Sequence, residues 1–187
     1  MVELLLTHPF IQINKSDNHG EPPLSVALKN GNSRTGEILL KNDKFNIKQA
    51  IEDHCDSLLL GASISDRVEL VEQLLAHPSI EVNTADSEGR TALLWASYRG
   101  HDQVVKLLLD HQNVDVNKAD KDGQTPLHGA SFRVRPKVVE LLLSHPSIRV
   151  NQVNKDGQTP MHIAERKGRT EICKLFRRGK VAKKTPC

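Results

Sequence analysis

An all-α solenoid, built from stacked pairs of short helices, is the fold class this sequence predicts. Three observations lead to it. Ala27, Ala62, Ala96, Ala130 and Ala164 close equivalent segments at spacings of 35, 34, 34 and 34 residues. A polar turn lies upstream of each alanine and an apolar helical run downstream, so the period repeats a whole supersecondary unit. The composition is 37% hydrophobic but only 3% aromatic, which makes for an aliphatic core and suits small stacked units better than one large globule.

Each part of the unit has a mechanical reason. Asp17–Gly20, Asp86–Gly89, Asp120–Gly123 and Asn154–Gly157 are turns in which an Asp or Asn precedes a Gly by three. Glycine there is free to take positive φ. Thr125-Pro126 and Thr159-Pro160 open a helix: the threonine caps free N–H groups, and proline's missing donor costs nothing at the first helical position. A short loop follows, with Gly31, Gly100 and Gly168 in one slot. The second helix buries a Val/Leu stripe, VVKLLL at 104–109 and VVELLL at 138–143, and where LLxHP follows, at 5–9, 74–78 and 142–146, its proline stops the helix. One such unit cannot bury its apolar faces alone, so neighbours must stack.

The strings DSEGRTALLWA (86–96), DKDGQTPLHGA (120–130) and NKDGQTPMHIA (154–164), with the endings Val82-Asn83, Val116-Asn117 and Val150-Asn151, resemble the ankyrin repeat family over nearly the whole chain. The period is about one residue longer than the family's usual 33. The resemblance implies a solenoid of about five repeats, each a β-turn and an antiparallel helix pair, over residues 1–179. Residues 2–9 (VELLLTHP) read as an N-terminal half-repeat, a second helix without its first. An uncovered solenoid edge is sticky, so this end is expected to be covered or to continue into a longer protein. The repeat at about 151–179 reads as a polar cap, with Arg177 in place of the third leucine and Arg178 after it, and 180–187 as a short basic tail.

Departures from the pattern fall mainly at 30–65, which is expected to be the least regular stretch. Thr35-Gly36 stands for Val-Val, Cys55 for the turn glycine, and Gln73 for Leu107 and Leu141. Val134 stands where other loops carry Gly. A β-branched residue resists positive φ, so that loop either departs from the others or is strained.

Charge and motifs exclude several functions. The formal net charge is +3, but nine Lys/Arg against two Glu over 164–187 give +7 and leave −4 elsewhere. No apolar run approaches the ~20 residues of a membrane span, and MVELLLTHPF lacks the basic start and long apolar stretch of a signal peptide. Cys55, Cys173 and Cys187 form no CxxC pair, which favours a reducing compartment, cytoplasm or nucleus. His8, His77, His111 and His145 hold one slot of the repeat, and neighbouring slots lie about 10 Å apart in a helical stack. Bonds of ~2.1 Å cannot bridge that gap, and cations near a helix C-terminus are the simpler reading. His128 and His162 are structural by the resemblance. Thr125 beside His128 is needed as a cap, and no phosphate-binding glycine loop occurs. No enzyme, metal or cofactor is expected.

A binding module remains. The family's partner contacts fall on turn tips and on the exposed ends of the first helices. Matched positions are Ser87, Glu88 and Arg90; Lys121, Asp122 and Gln124; and Lys155, Asp156 and Gln158. On the helix ends they are Tyr98-Arg99, Phe132-Arg133 and Arg166-Lys167, with Trp95 on the first of these helices. The helix-end pairs place a basic column beside aromatics, suited to an acidic or acidic-apolar protein segment. The alternatives are the recognition arm of a larger regulatory protein, such as a ubiquitin-ligase adaptor, and nucleic-acid binding through the basic end. The latter lacks an aromatic stacking platform. The family's hairpins are also targets of asparaginyl β-hydroxylation. Asn83 and Asn117 fit that pattern, with Leu75 or Leu109 eight residues before and Glu81 or Asp115 two before. Side-chain bonds that fix the hairpin are the simpler role for both.

Overall fold

A computed structural model describes residues 6–8, 11–18, 20–42 and 47–182. These form five helix pairs: α1 (Pro23–Lys29) with α2 (Ser33–Leu40), α3 (Ile47–Ile64) with α4 (Val68–Leu75), α5 (Ala92–Arg99) with α6 (Asp102–Asp110), α7 (Pro126–Phe132) with α8 (Pro136–Ser144), and α9 (Pro160–Arg166) with α10 (Thr170–Ala182). Among the described residues a single antiparallel bridge, Ala85 to Thr91, is the only β-pairing. The first helices α1, α3, α5, α7 and α9 pack in sequence as one layer; α4, α6, α8 and α10 pack as the second. The expected half-helix at 2–9 lies mostly outside the described residues. The last helix runs to Ala182, past the expected end at Gly179.

The helices start and stop by the expected chemistry. Thr91 accepts from the Leu94 N–H at 3.2 Å. Thr125 and Thr159 accept from the N–H groups of His128 and His162. In each of those two, the histidine ring accepts the threonine N–H in return, closing a capping box with His in the role usually taken by Glu or Gln. Pro22 begins α1 with no side-chain cap. At the other end, one bond recurs in all five pairs. The N–H of the residue immediately before each second helix closes back on the carbonyl of the first helix's alanine: Asn32 to Ala27 at 2.9 Å, Arg67 to Ala62, His101 to Ala96 and Arg135 to Ala130 at 3.0 Å, and Arg169 to Ala164 at 2.8 Å. This closure requires a left-handed residue just before the donor. Gly31, Gly100 and Gly168 supply it without strain. Val134 takes it too, at φ 57°, as does Asp66 at φ 56°. The valine loop therefore keeps the common geometry and carries the strain.

Packing follows three columns through the second helices. Leu70, Val104, Val138 and Ile172 form the first; Val71, Val105, Val139 and Cys173 the second; Leu74, Leu108, Leu142 and Phe176 the third. All are buried. Cys173 thus fills a valine slot, and Phe176 points inward. Where α2 carries Gly36 in the second column, Leu28 compensates: a Cβ on Gly36 would lie 3.1 Å from Leu28 Cδ2. Ser63, Ser97 and Ser131 hold the Leu28 slot in the next three pairs. A large residue for serine thus offsets a glycine for valine.

The irregular unit is α3. No glycine turn precedes it; the chain is helical from Ile47 and kinks at His54 (φ −144°, ψ 29°) before the first-helix segment begins. Asp56 then accepts the Glu81 N–H at 3.0 Å, tying the segment to the next connection. Gly61 allows α1 to approach, since a Cβ there would meet Leu28 Cβ at 3.0 Å and the Ser25 carbonyl at 3.1 Å.

The two loop residues give opposite expectations. Val134→Gly relieves a left-handed β-branched residue, an effect of about 1–2 kcal/mol, offset by roughly 0.5–1 kcal/mol of extra chain entropy. A rise in the urea midpoint worth roughly 0.5–1 kcal/mol is expected. Gly100→Val is expected to lower stability by at least about 1–2 kcal/mol, because its Cβ would also lie 2.5 Å from the Arg135 side chain. Equal midpoints for both variants and the parent would contradict the strain.

Candidate functional site

The turn residues expected to carry recognition are first held by their own hairpins. Asp86 Oδ1 accepts the N–H groups of Glu88 (2.9 Å) and Arg90 (3.0 Å). Asp120 does the same for Asp122 (2.9 Å) and Gln124 (2.8 Å), and Asn154 for Asp156 (3.1 Å) and Gln158 (2.9 Å). The hairpins then stack: the Lys121 N–H donates to the Glu88 carbonyl at 2.9 Å, and the Lys155 N–H to the Asp122 carbonyl at 3.0 Å. Gly123 is doubly required. It has φ 76°, and a Cβ on it would sit 2.9 Å from Asn154 Cα in the next hairpin.

Between this hairpin ladder and the first helices runs an open groove of about 360 Å³. Eight of the expected residues line it: Arg90, Trp95, Tyr98, Gln124, Phe132, Asp156, Gln158 and Arg166. Three more stand over its aromatics. The Arg133 guanidinium lies 4.4 Å from the Tyr98 ring centre, Lys167 Nζ 5.4 Å from Phe132, and the Arg99 guanidinium 5.8 Å from Trp95. Arg133 and Lys167 each belong to the repeat after the ring they cover. Basic column and aromatic column are therefore interlocked, and Tyr98 is half-covered. Lys121 and Lys155 are exposed but do not line the groove; their backbone N–H groups are what the ladder uses.

Trp95 is the most constrained of the set. Its indole N–H donates to Asp86 Oδ2 at 3.0 Å, and Tyr98 meets it edge-on at 6.3 Å. Arg90 Nε bonds the same carboxylate oxygen at 3.0 Å while its guanidinium lies 4.5 Å from the Trp95 ring centre. Burial pushes the Asp86 carboxyl up, but the N–H groups of Arg90, Trp95 and Glu88 outweigh it and hold it below its usual value. Sequence reasoning did not assign Leu94, Asp120, Gly129, Asn154 or Ile163 to this site, yet they also line it. Asp120 and Asn154 read as turn formers, which they are. Gly129 had a visible signal: it stands in the slot of Trp95 and Ile163, 34 residues to either side.

The remaining candidates connect repeats. Asn83 Nδ2 donates to the Asn113 carbonyl at 2.7 Å, and its Oδ1 accepts the Asp115 N–H at 2.8 Å. Asn117 repeats this with the Ser147 carbonyl (2.8 Å) and the Arg149 N–H (2.7 Å). Both amides thus clasp the next connection with both ends. His128 Nε2 donates to the Gln158 carbonyl of the next hairpin at 3.0 Å. His111 and His145 act differently from the expected helix-end cations: each Nδ1 accepts the N–H two residues on, from Asn113 and Ser147, at 3.3 Å. They shape the connection with a ring lone pair. Among the described residues, no cluster of His, Cys, Asp or Glu could hold a metal, and no helix is long and apolar enough to cross a membrane.

A family model of ankyrin repeats in three copies matches residues 58–154 and, in a second register, 120–185. The chain belongs to the ankyrin repeat family. Ankyrin repeats are protein–protein interaction modules, and that is the coarse function this stack inherits. A comparison with the curated proteins found no match.

Two measurements test the inter-repeat bonds. Asn117→Ala is expected to cost about 1–2 kcal/mol, two hydrogen bonds at roughly 1 kcal/mol each. Asn151→Ala, exposed and in the last repeat, should stay within about 0.5 kcal/mol. Equal losses would refute the clasp. Burial lowers the His128 pKa, partly opposed by the Gln158 carbonyl. A depressed native pKa means the unfolded chain takes up the proton first. Stability from this group is therefore complete above about pH 6.5 and falls as pH drops through the native value. The decline in melting temperature from pH 7.5 to 5.5 should be shallower in His128→Gln than in the parent or in His162→Gln.

Proposed function

We propose that this chain is a non-catalytic adaptor or scaffold that holds an acidic, partly apolar segment of another protein in the groove between its hairpins and first helices. One observation carries the reading. Arg99, Arg133, Arg166 and Lys167 have no carboxylate partner among the described residues, and three of them are propped over aromatic rings. Cations ordered before a ligand arrives lose less side-chain freedom on binding. Arginine beside tyrosine and tryptophan is also the composition of interface hot spots. Arg90 differs, since its charge is engaged by Asp86. A partner would therefore meet free positive charge at the helix ends and a neutralised pair at the first hairpin.

The test is selection of random dodecapeptides displayed against the whole chain. Peptides rich in Asp and Glu are expected, with affinity falling as salt rises. Arg99→Glu combined with Arg133→Glu should weaken them about a hundredfold or more, since each cation faces a ligand carboxylate. Stability should fall by no more than about 1 kcal/mol per lost cation–π contact. Binding that survives the double swap would remove the groove from the function.

A further inference from the structure

We infer that Gly129 opens a socket in the groove for one bulky apolar side chain, so that the segment recognised carries a large aliphatic or aromatic residue beside an Asp or Glu. The inference rests on the groove being the partner site, and it adds what the partner must contain.

The slot before the closing alanine is occupied by Val26, Gly61, Trp95, Gly129 and Ile163 in the five pairs. Glycine inside a helix is destabilising relative to alanine. At Gly61 packing demands it, because a Cβ would collide with α1. At Gly129 nothing does. A Cβ there would lie 3.5 Å from Tyr98 Cβ, an ordinary contact, and the residue is not among those with positive φ. The helix carries a destabilising residue that its own packing does not require, and a broken local rule of this kind points to a site.

At Gly129 the groove wall carries no side chain, and Tyr98 lies alongside within van der Waals reach of where a Cβ would stand. The groove has Trp95 and Tyr98 from α5, Phe132 from α7 and Ile163 from α9 around it. Its volume of about 360 Å³ is at the low end of the ~300–1,000 Å³ found for ligand sites, enough for an anchor side chain and not for a domain. Phe132 is 40% exposed, a large apolar ring open to such an anchor. The charge around the socket selects the neighbour. Asp120 gives one oxygen to two backbone N–H groups of its own hairpin. Asp156 is the one exposed carboxylate lining the groove. Against these stand Arg99, Arg133, Arg166 and Lys167. The surplus is positive, so an acidic residue flanks the anchor.

The probe is the same displayed library of random dodecapeptides, with the parent chain, Gly129→Ala and Gly129→Ile. Selected peptides are expected to share one bulky apolar residue next to Asp or Glu. Gly129→Ile, which puts a side chain into the socket, should weaken them at least about tenfold, as loss of a central anchor does. Gly129→Ala should weaken them less, and both variants should melt at or above the parent temperature. Selected peptides with no shared bulky residue, or undiminished binding to Gly129→Ile, overturn the socket. Loss on the Arg99/Arg133 swap with retention by Gly129→Ile removes the socket and keeps the groove; retention by both, or selection of no peptide, removes both. Sedimentation of the parent chain alone gives the last arm: a dimer abolished by Gly129→Ile would make a second copy the occupant and overturn a foreign segment.

Discussion

In every helix pair, the backbone N–H just before the second helix reaches back to the carbonyl of the alanine near the end of the first. This one bond sets the angle between the two helices and hence the shape of the unit. It demands a left-handed residue beside it, and the chain accepts that demand even where the residue is Val134. Because the angle is the same in each unit, the apolar residues of successive second helices fall into register, and the three core columns follow. The small closing alanine is buried in all five units, where neighbouring first helices approach. A larger residue would push the layer apart and break the register that makes the columns continuous.

A second set of bonds runs between units rather than within them. The amides of Asn83 and Asn117 and the His128 ring end on backbone atoms of the next repeat, and the hairpin N–H groups of Lys121 and Lys155 on carbonyls of the one before. They stiffen the face on which the groove lies. Rigid hairpins on one side and packed helices on the other hold the groove residues in fixed positions, which is what a binding surface needs to bind without first ordering itself. The propping of Arg133 on Tyr98 and Lys167 on Phe132 extends the same logic from backbone to side chains.

Most of the scaffold was legible in the residues. Asp-x-x-Gly, Thr-Pro and the Val/Leu stripes act over three or four residues, so a string of letters contains their whole cause. The slot holding Val134 marked a loop that had to depart from the others or carry strain, and the fold decided for strain. The site was legible in part. The matched slots found Trp95, Tyr98, Phe132 and the cations over them, because equivalent positions in a solenoid face the same way. Two kinds of information were missing. Lys121 and Lys155 looked like recognition residues from their slots, yet their side chains lie off the groove. Gly129 drew no functional reading from its place in DKDGQTPLHGA, and only the fold sets it in the groove wall. The stretch at 30–65 was visible as irregular, but not that a kinked helix would replace its turn, with His54 at the kink 2.9 Å from the Ser16 hydroxyl and Asp56 accepting the Glu81 N–H.

The sequence by itself therefore determined the repeat, the caps, the turns, the columns of the core and the family, since each is set by local chemistry repeated at a fixed interval. Tertiary structure alone decided which exposed residues face one another. It stacked a cation of one repeat on an aromatic of the one before, pointed the His111 and His145 rings at backbone N–H groups, and set Gly129 in the wall of the groove. Those outcomes depend on the offset between neighbouring units, a quantity set by packing across the whole stack and written in no single repeat.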